Sequence, residues 1–209
     1  MNAPVRHAPQ RPTRGSGRLE GMLARLRMAA ALKALKPSLR GGDVLDVGCG
    51  SYPLFLMQAP FARKVGVDRI EPAWPAEYGP KPAGLEILRL PLEGDVRLPF
   101  PDASFACVVS LAVLEHLEPA GLPFLVAEIH RVLQPSGQFL LTTPHVFADG
   151  ILRLLARLGL VSKEEIDEHK SLFFRPHIAE LLRRGGFTPG NIRVRGFLLG
   201  LNILAVAEK

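Results

Sequence analysis

Two acidic residues stand where short apolar runs give way to turns, and their setting limits the chemistry open to this chain. Asp46 lies in the run Val44-Leu45-Asp46-Val47, which enters the turn Gly48-Cys49-Gly50. Asp68 ends a second run, Lys64-Val65-Gly66-Val67-Asp68, 22 residues beyond the first acid. Glycines in such a turn let the backbone pass close to a ligand where a Cβ would collide. A nicotinamide-binding turn would use Gly-x-Gly-x-x-Gly to set a pyrophosphate on a helix N-terminus. Here the third glycine is missing from that pattern, and a carboxylate beside a pyrophosphate would repel it.

The acids suit a cation instead. S-adenosylmethionine carries an ammonium and a sulfonium and no phosphate, so an acidic glycine turn matches its charge. An acid at the end of the neighbouring strand can accept hydrogen bonds from both ribose hydroxyls of a nucleoside. Taken singly, a glycine turn can be a sharp connection and a strand-end Asp a helix cap. Two acids on adjoining strand ends are more specific.

The histidines divide by position. His116 follows the fourth apolar run, close to the expected donor, and is the candidate general base, with a pKa matched to neutral pH. A histidine that caps a turn or packs on the cofactor is the competing reading. His145 and His169 are candidates for an acceptor pocket, although a structural role is open for each, and His7 and His177 carry no case.

The elements that must position these groups follow from periodicity. Leu19, Met22, Leu23, Leu26 and Ala30 repeat at helical spacing up to the stop at Pro37. Strands are expected at Val44–Val47, Lys64–Asp68, Leu85–Leu90, Phe105–Ser110 and Gln138–Thr142. Between the last two, Leu122, Leu125, Val126, Ile129 and Leu133 form a helical stripe that Pro135-Ser136-Gly137 closes. Prolines 72, 75, 80 and 82 disfavour a long helix after Asp68. A helix from Pro176 to Gly185-Gly186 precedes two runs, Ile192–Val194 and Ile203–Val206, that read as an antiparallel pair. Strands alternating with helices favour a parallel sheet covered on both faces.

Composition sets the outer bounds. The 209 residues are 47% hydrophobic and 22% charged, as in an ordinary globular domain, and no apolar run reaches the ~18 residues of a membrane span. Cys49 and Cys107 lack metal-ligand spacing, so no metal is expected and a reducing cytoplasm is the default compartment. The net charge of +6 is unevenly placed. Residues 1–40 hold nine Lys or Arg against Glu20 alone, a local +8, and the remainder carries −2. The Pro-, Arg- and Gly-rich residues 1–17 read as a disordered basic tail before a domain at 18–209. Residues 1–36 could touch anionic membrane at its inner face, or simply be solvated.

At this point the motifs resemble a family. Val44–Gly50 is similar to the first motif of class I S-adenosylmethionine-dependent methyltransferases, and Val65–Asp68 to the second. Gly94–Phe105, Val113–Leu117 and Glu128–Gly137 resemble successive segments of the type-11 methyltransferase domain, strongly over 41–144 and again, weakly, at Phe174–Phe187. The resemblance implies a Rossmann-like, doubly wound, mostly parallel seven-stranded sheet with a C-terminal antiparallel pair. It implies S-adenosyl-L-methionine as cofactor, with Asp46, Gly48 and Gly50 around its methionine part and Asp68 at the ribose. Cys49 and Arg69 are expected beside them. Asp95 would accept from the adenine amino group and the Val96 backbone would donate to a ring nitrogen. Ser110 and Leu111 would offer backbone carbonyls to the ammonium. Two departures stand out: Tyr52 and Pro53 occupy the place of a small residue, which could narrow the pocket and shift the next helix, and Ala106 replaces a common Asp.

The expected activity is methyl transfer to an O or N atom of a small-molecule, lipid-linked or glycan acceptor. Residues 144–175 would form a cap that chooses it, with Ile151, Leu154, Leu155 and Leu158 at helical spacing beside Arg153 and Arg157. A non-catalytic donor-binding interaction module is the alternative. Nucleic acid is disfavoured, because Ser110-Leu111-Ala112-Val113 is unlike a base-flipping Asn-Pro-Pro-Tyr motif.

Overall fold

The structure, a computed structural model, describes residues 19–50, 52–69, 74, 80–161 and 170–209. The expected tail at 1–17, most of the proline-bearing stretch after Asp68, and residues 162–169 of the expected cap, His169 included, lie outside the described residues. Seven strands form one sheet: β1 (Asp43–Val47), β2 (Arg63–Asp68), β3 (Leu85–Arg89), β4 (Phe105–Leu111), β5 (Leu133–Pro144), β6 (Ile192–Phe197) and β7 (Asn202–Glu208). Their order is β3-β2-β1-β4-β5-β7-β6. The first five run parallel, and β7 lies antiparallel between β5 and β6. This is the sheet, with its closing antiparallel pair, that the sequence motifs imply.

The strands read as apolar runs because both faces are covered. Leu45, Val47 and Val108 belong to one core layer, packed by α3 (Leu122–Val132) and α5 (Arg175–Arg184). Their neighbours Val44, Cys107 and Val109 face the opposite layer with α1 (Glu20–Ala34) and α2 (Leu54–Gln58). Alternate residues thus serve opposite layers, as the period of two in a strand requires. A further helix, α4 (Ala148–Arg157), follows β5. Among the described residues no helix is long and apolar enough to cross a membrane.

Three local features depart from the sequence pattern. The period located α1 but not its inner face: Met28, Ala31 and Leu35 are buried while Met22 and Leu26 are exposed. Apolar and charged residues are spread around the helix without a preferred face, so periodicity leaves its rotation open. The segment Pro135-Ser136-Gly137 does not close α3, which ends at Val132. Leu133 already pairs with Phe105, and the register then shifts so that Cys107 meets Gln138. Ser136, at φ +64, takes up that irregularity, and its N–H donates to the Lys209 carbonyl. Finally, α2 spans five residues and starts at Leu54, after Tyr52-Pro53.

One largely buried ion pair fixes the approach to β4. Arg131 donates from Nε and Nη2 to the two oxygens of Glu128 at 2.8 and 2.7 Å. The same guanidinium donates to the carbonyls of Phe100 and Leu98, and Glu128 accepts the Leu98 N–H at 2.9 Å. The guanidinium beside Glu128 holds that carboxyl below the usual glutamate range. Such a group stabilises the fold above its unfolded pKa, and that contribution is lost as pH falls through the lowered folded value. Arg131→Leu is therefore expected to cost about 2–3 kcal/mol at pH 7, a fall of roughly 5–10 °C in melting temperature. In a thermal melt the gap from wild type should narrow below pH 4.

Candidate active site

At β1 and β4 the strand order reverses, one half of the sheet growing toward β3 and the other toward β6. Ligands of open parallel sheets bind in the crevice at such a point, outside the carboxyl ends of the strands. A cavity of about 540 Å³ lies there, inside the ~300–1,000 Å³ range of small-molecule sites. It is lined by Asp46, Gly48, Cys49 and Gly50 at the end of β1, Asp68 and Arg69 at the end of β2, and Leu111 to Val113 after β4.

The turn after β1 is built on β2. Gly48 and Cys49 both donate backbone N–H groups to the Val67 carbonyl, at 2.8 and 3.2 Å. Gly50 donates to Asp68 Oδ2 at 2.8 Å, so the second acid orders the first acid's turn. Gly48 and Gly50 have φ of +82 and +71, a region that favours glycine. A Cβ on Gly48 would also collide with the Val113 side chain. At Gly50 it would meet nothing within 4 Å, because open space lies over the turn.

Asp46 and Asp68 are each only 4% exposed and face the same cavity. Burial, and then the charge of Asp68, push the Asp46 carboxyl up to about 8. Two shielded carboxylates on one wall are costly without a cation to share. The donor set therefore fits a positively charged ligand, and open backbone over Gly50 gives it room.

The remaining expected site residues are divided. His116 lines the cavity from the short turn Leu114–His116. Leu111 also lines it, while Ser110 is fully buried and its hydroxyl donates to the Val47 carbonyl, tying β4 to β1. Val96 lies in a small adjoining cleft that shares Leu92, Leu117 and Glu118 with the cavity, and its N–H donates to the Gly94 carbonyl. Asp95 is exposed and lines neither space. His145 is buried away from the cavity, where its Nδ1 accepts the Phe147 N–H and its ring packs on Phe147 and Phe174.

Sequence reasoning missed other parts of the wall. Helix α1 contributes Ala24, Arg27 and Met28, with Arg27 held by Asn202 at 3.0 Å. Buried Glu115 accepts from Thr143 Oγ1 at 3.0 Å. Its carbonyl accepts the N–H groups of Lys170 and Ser171, bringing Lys170 to the rim. The Lys170 ammonium pairs with Glu118 at 2.7 Å. Ala112 has φ +59, uncommon outside glycine and a sign of a turn held by its surroundings. The signals for that acid in the sequence were its adjacency to His116 and its place within the Val113–Leu117 segment.

Residues 45–141 match the family model of a methyltransferase domain. Residues 45–141 thus carry a methyltransferase domain. A relative from Mycolicibacterium smegmatis, named as a probable S-adenosylmethionine-dependent methyltransferase, is 38% identical over 106 residues, half of this chain and 39% of that protein. Demethylmenaquinone methyltransferase of Symbiobacterium thermophilum is 32% identical over 108 residues, covering 48% of this chain and 41% of the relative. The methyltransferase domain here thus spans about two fifths of the length of these curated relatives.

Solved structures share its fold. An S-adenosylmethionine-dependent methyltransferase from Mesorhizobium loti superposes with a TM-score of 0.66 at 22% identity, covering 90% of this chain and all of that one. The 1,6-didemethyltoxoflavin N1-methyltransferase of Burkholderia thailandensis, solved with S-adenosylhomocysteine, gives 0.60 at 23% identity over 88% of this chain and 78% of that one.

The raised pKa of Asp46 has a measurable sign. Between about pH 4 and pH 8 the folded acid keeps a proton that the unfolded acid has lost, so ligand-free stability declines with pH in that window. Asp46→Asn should raise the melting temperature of the methyltransferase domain. The gain is expected to grow from pH 5 to pH 8 and then level off. A gain independent of pH would contradict the burial of this carboxyl.

Proposed function

We propose that the protein transfers a methyl group from S-adenosyl-L-methionine to an O or N atom of a small-molecule, lipid-linked or glycan acceptor. One observation carries this reading: two buried acids on adjacent strand ends share one cavity with a glycine turn. The donor, when bound, supplies a methyl group on a sulfonium that is already activated for in-line displacement.

The residues of the chain have three tasks. Asp46 and the Gly48–Gly50 turn receive the cationic amino-acid end, and Asp68 receives the ribose hydroxyls. Met28, Leu54, Phe55 and Leu117 exclude water, which strengthens every charge interaction inside. His116 takes the proton that a hydroxyl acceptor loses as its O–C bond forms, and the electron pair of the breaking S–C bond stays on sulfur. Alignment and dehydration supply most of the rate, so few catalytic side chains are required. Relatives named for demethylmenaquinone and 1,6-didemethyltoxoflavin support a small acceptor over a nucleic acid.

Calorimetry should show micromolar binding of S-adenosylmethionine and of its demethylated product. Asp68→Ala is expected to weaken both at least tenfold, as loss of hydrogen bonds to a charged group does. A cation at Asp46 lowers that carboxyl's pKa, so binding at pH 7 should release a proton, seen as buffer-dependent heats. Unchanged affinity in Asp68→Ala would overturn the site.

Acceptor screening tests catalysis itself. With a hydroxyl acceptor, His116→Ala should lower kcat about 100-fold and leave donor affinity intact. Donor binding without turnover on any acceptor would favour the interaction-module alternative.

A further inference from the structure

Among the described residues, one stripe of α4 is apolar and exposed. Ile151 and Leu154 are 44% and 56% exposed, flanked by Phe147 at 73% and Leu158 at 65%. Their spacing of four, three and four residues aligns them on one stripe roughly 16 Å long, at 1.5 Å per residue. The helix is anchored along one edge of this stripe, where Ala148 is buried and Leu155 half-buried. Arg153 and Arg157 are exposed beside the stripe, and Asp149 of the same helix is paired with Arg153 at 2.8 Å.

Two neighbouring segments extend the apolar surface. Leu172 is 43% exposed, two residues after Lys170 at the cavity rim. At the β6–β7 turn Leu199 is fully exposed with φ +56, a conformation uncommon for a leucine, so the fold holds this side chain out in the open. That turn adjoins the base of α4, because the Leu201 carbonyl accepts the His145 N–H.

We propose that this face of α4, with Leu172 and the Leu199 turn, inserts shallowly into an anionic lipid surface and presents the cavity rim to it. Charge selects the occupant. A helix with an apolar stripe and arginines beside it lies in the plane of a lipid interface, its apolar side among the acyl chains and its cations at the headgroups. The start of α1 lies beside the end of α4, where the Leu19 N–H donates to the carbonyl of Leu160, and Arg25 is exposed in the second turn of α1. A second copy packed stripe to stripe would set Arg153 and Arg157 against like charges, which disfavours a homodimer there. The inference goes beyond donor binding and does not rest on it.

The test uses the full chain and sedimentation with vesicles of phosphatidylcholine, with or without about one third phosphatidylglycerol. Wild type should pellet with the anionic vesicles and poorly with neutral ones. Leu154→Ser/Leu158→Ser, and separately Leu199→Ser, should each reduce the bound fraction, the double variant at least about tenfold in partition coefficient. Both should keep wild-type melting temperature and donor affinity, because neither alters a core residue or the cavity. Four results would overturn the inference. Vesicle binding unaltered in the double variant would leave the basic residues 1–40 as sole contact, and equal binding to neutral and anionic lipid would remove the selection by charge. A wild-type dimer that the double variant dissociates would make the occupant a second copy. Wild type that ignores vesicles while binding donor normally would leave the donor reading intact.

Discussion

Burying two carboxylates on one wall of a cavity is the constraint around which the rest of the site is organised. Their desolvation is repaid in part by backbone. The Gly50 N–H donates to Asp68, and the turn that carries Gly50 hangs from the Val67 carbonyl. Asp46 lacks comparable relief, so its carboxyl retains a proton near neutrality. A cation at that wall reverses the balance, converting an electrostatic cost of the folded chain into affinity. The parallel pairing of β1 with β2, Asp46 opposite Gly66 and Val47 opposite Val67, fixes the separation of the two acids. A one-residue slip would turn Asp46 into the opposite layer.

The sheet was legible because a parallel strand buried on both faces leaves a plain mark, a short run of branched residues ending at a turn. Val44–Val47 and Val65–Asp68 show it, and the acids and glycines at their ends were legible for the same reason. What stayed hidden depends on contacts distant in sequence. The face that α1 turns inward was invisible, since Met22 and Met28 look alike until the sheet is in place. That same packing makes Arg27 part of the cavity, held by Asn202 from the last strand. The turn at Pro135-Ser136-Gly137 misled for a related reason. Breakers mark an interruption, but only pairing with Phe105 shows that the strand begins before it.

Histidines were the least legible residues. His116 and His145 both follow strands, and local sequence offers little to separate them. The fold places His116 at the cavity and packs His145 between Phe147 and Phe174, as an aromatic wedge under the start of α4. Glu115, by contrast, was passed over beside a more familiar base. Its carbonyl draws Lys170 and Ser171 to the rim, and its side chain is tied to Thr143 on β5. The region after β5 is thus tied to the cavity wall at Glu115 and, through the Lys170 ammonium, at Glu118.

The most direct test is a crystal structure with the demethylated donor product. A grip by paired acids predicts ribose hydroxyls within hydrogen-bonding distance of Asp68. It also places the amino-acid end over the Asp46–Gly50 turn. A nucleoside bound elsewhere, or one whose ribose and ammonium both point away from these two carboxylates, would contradict it.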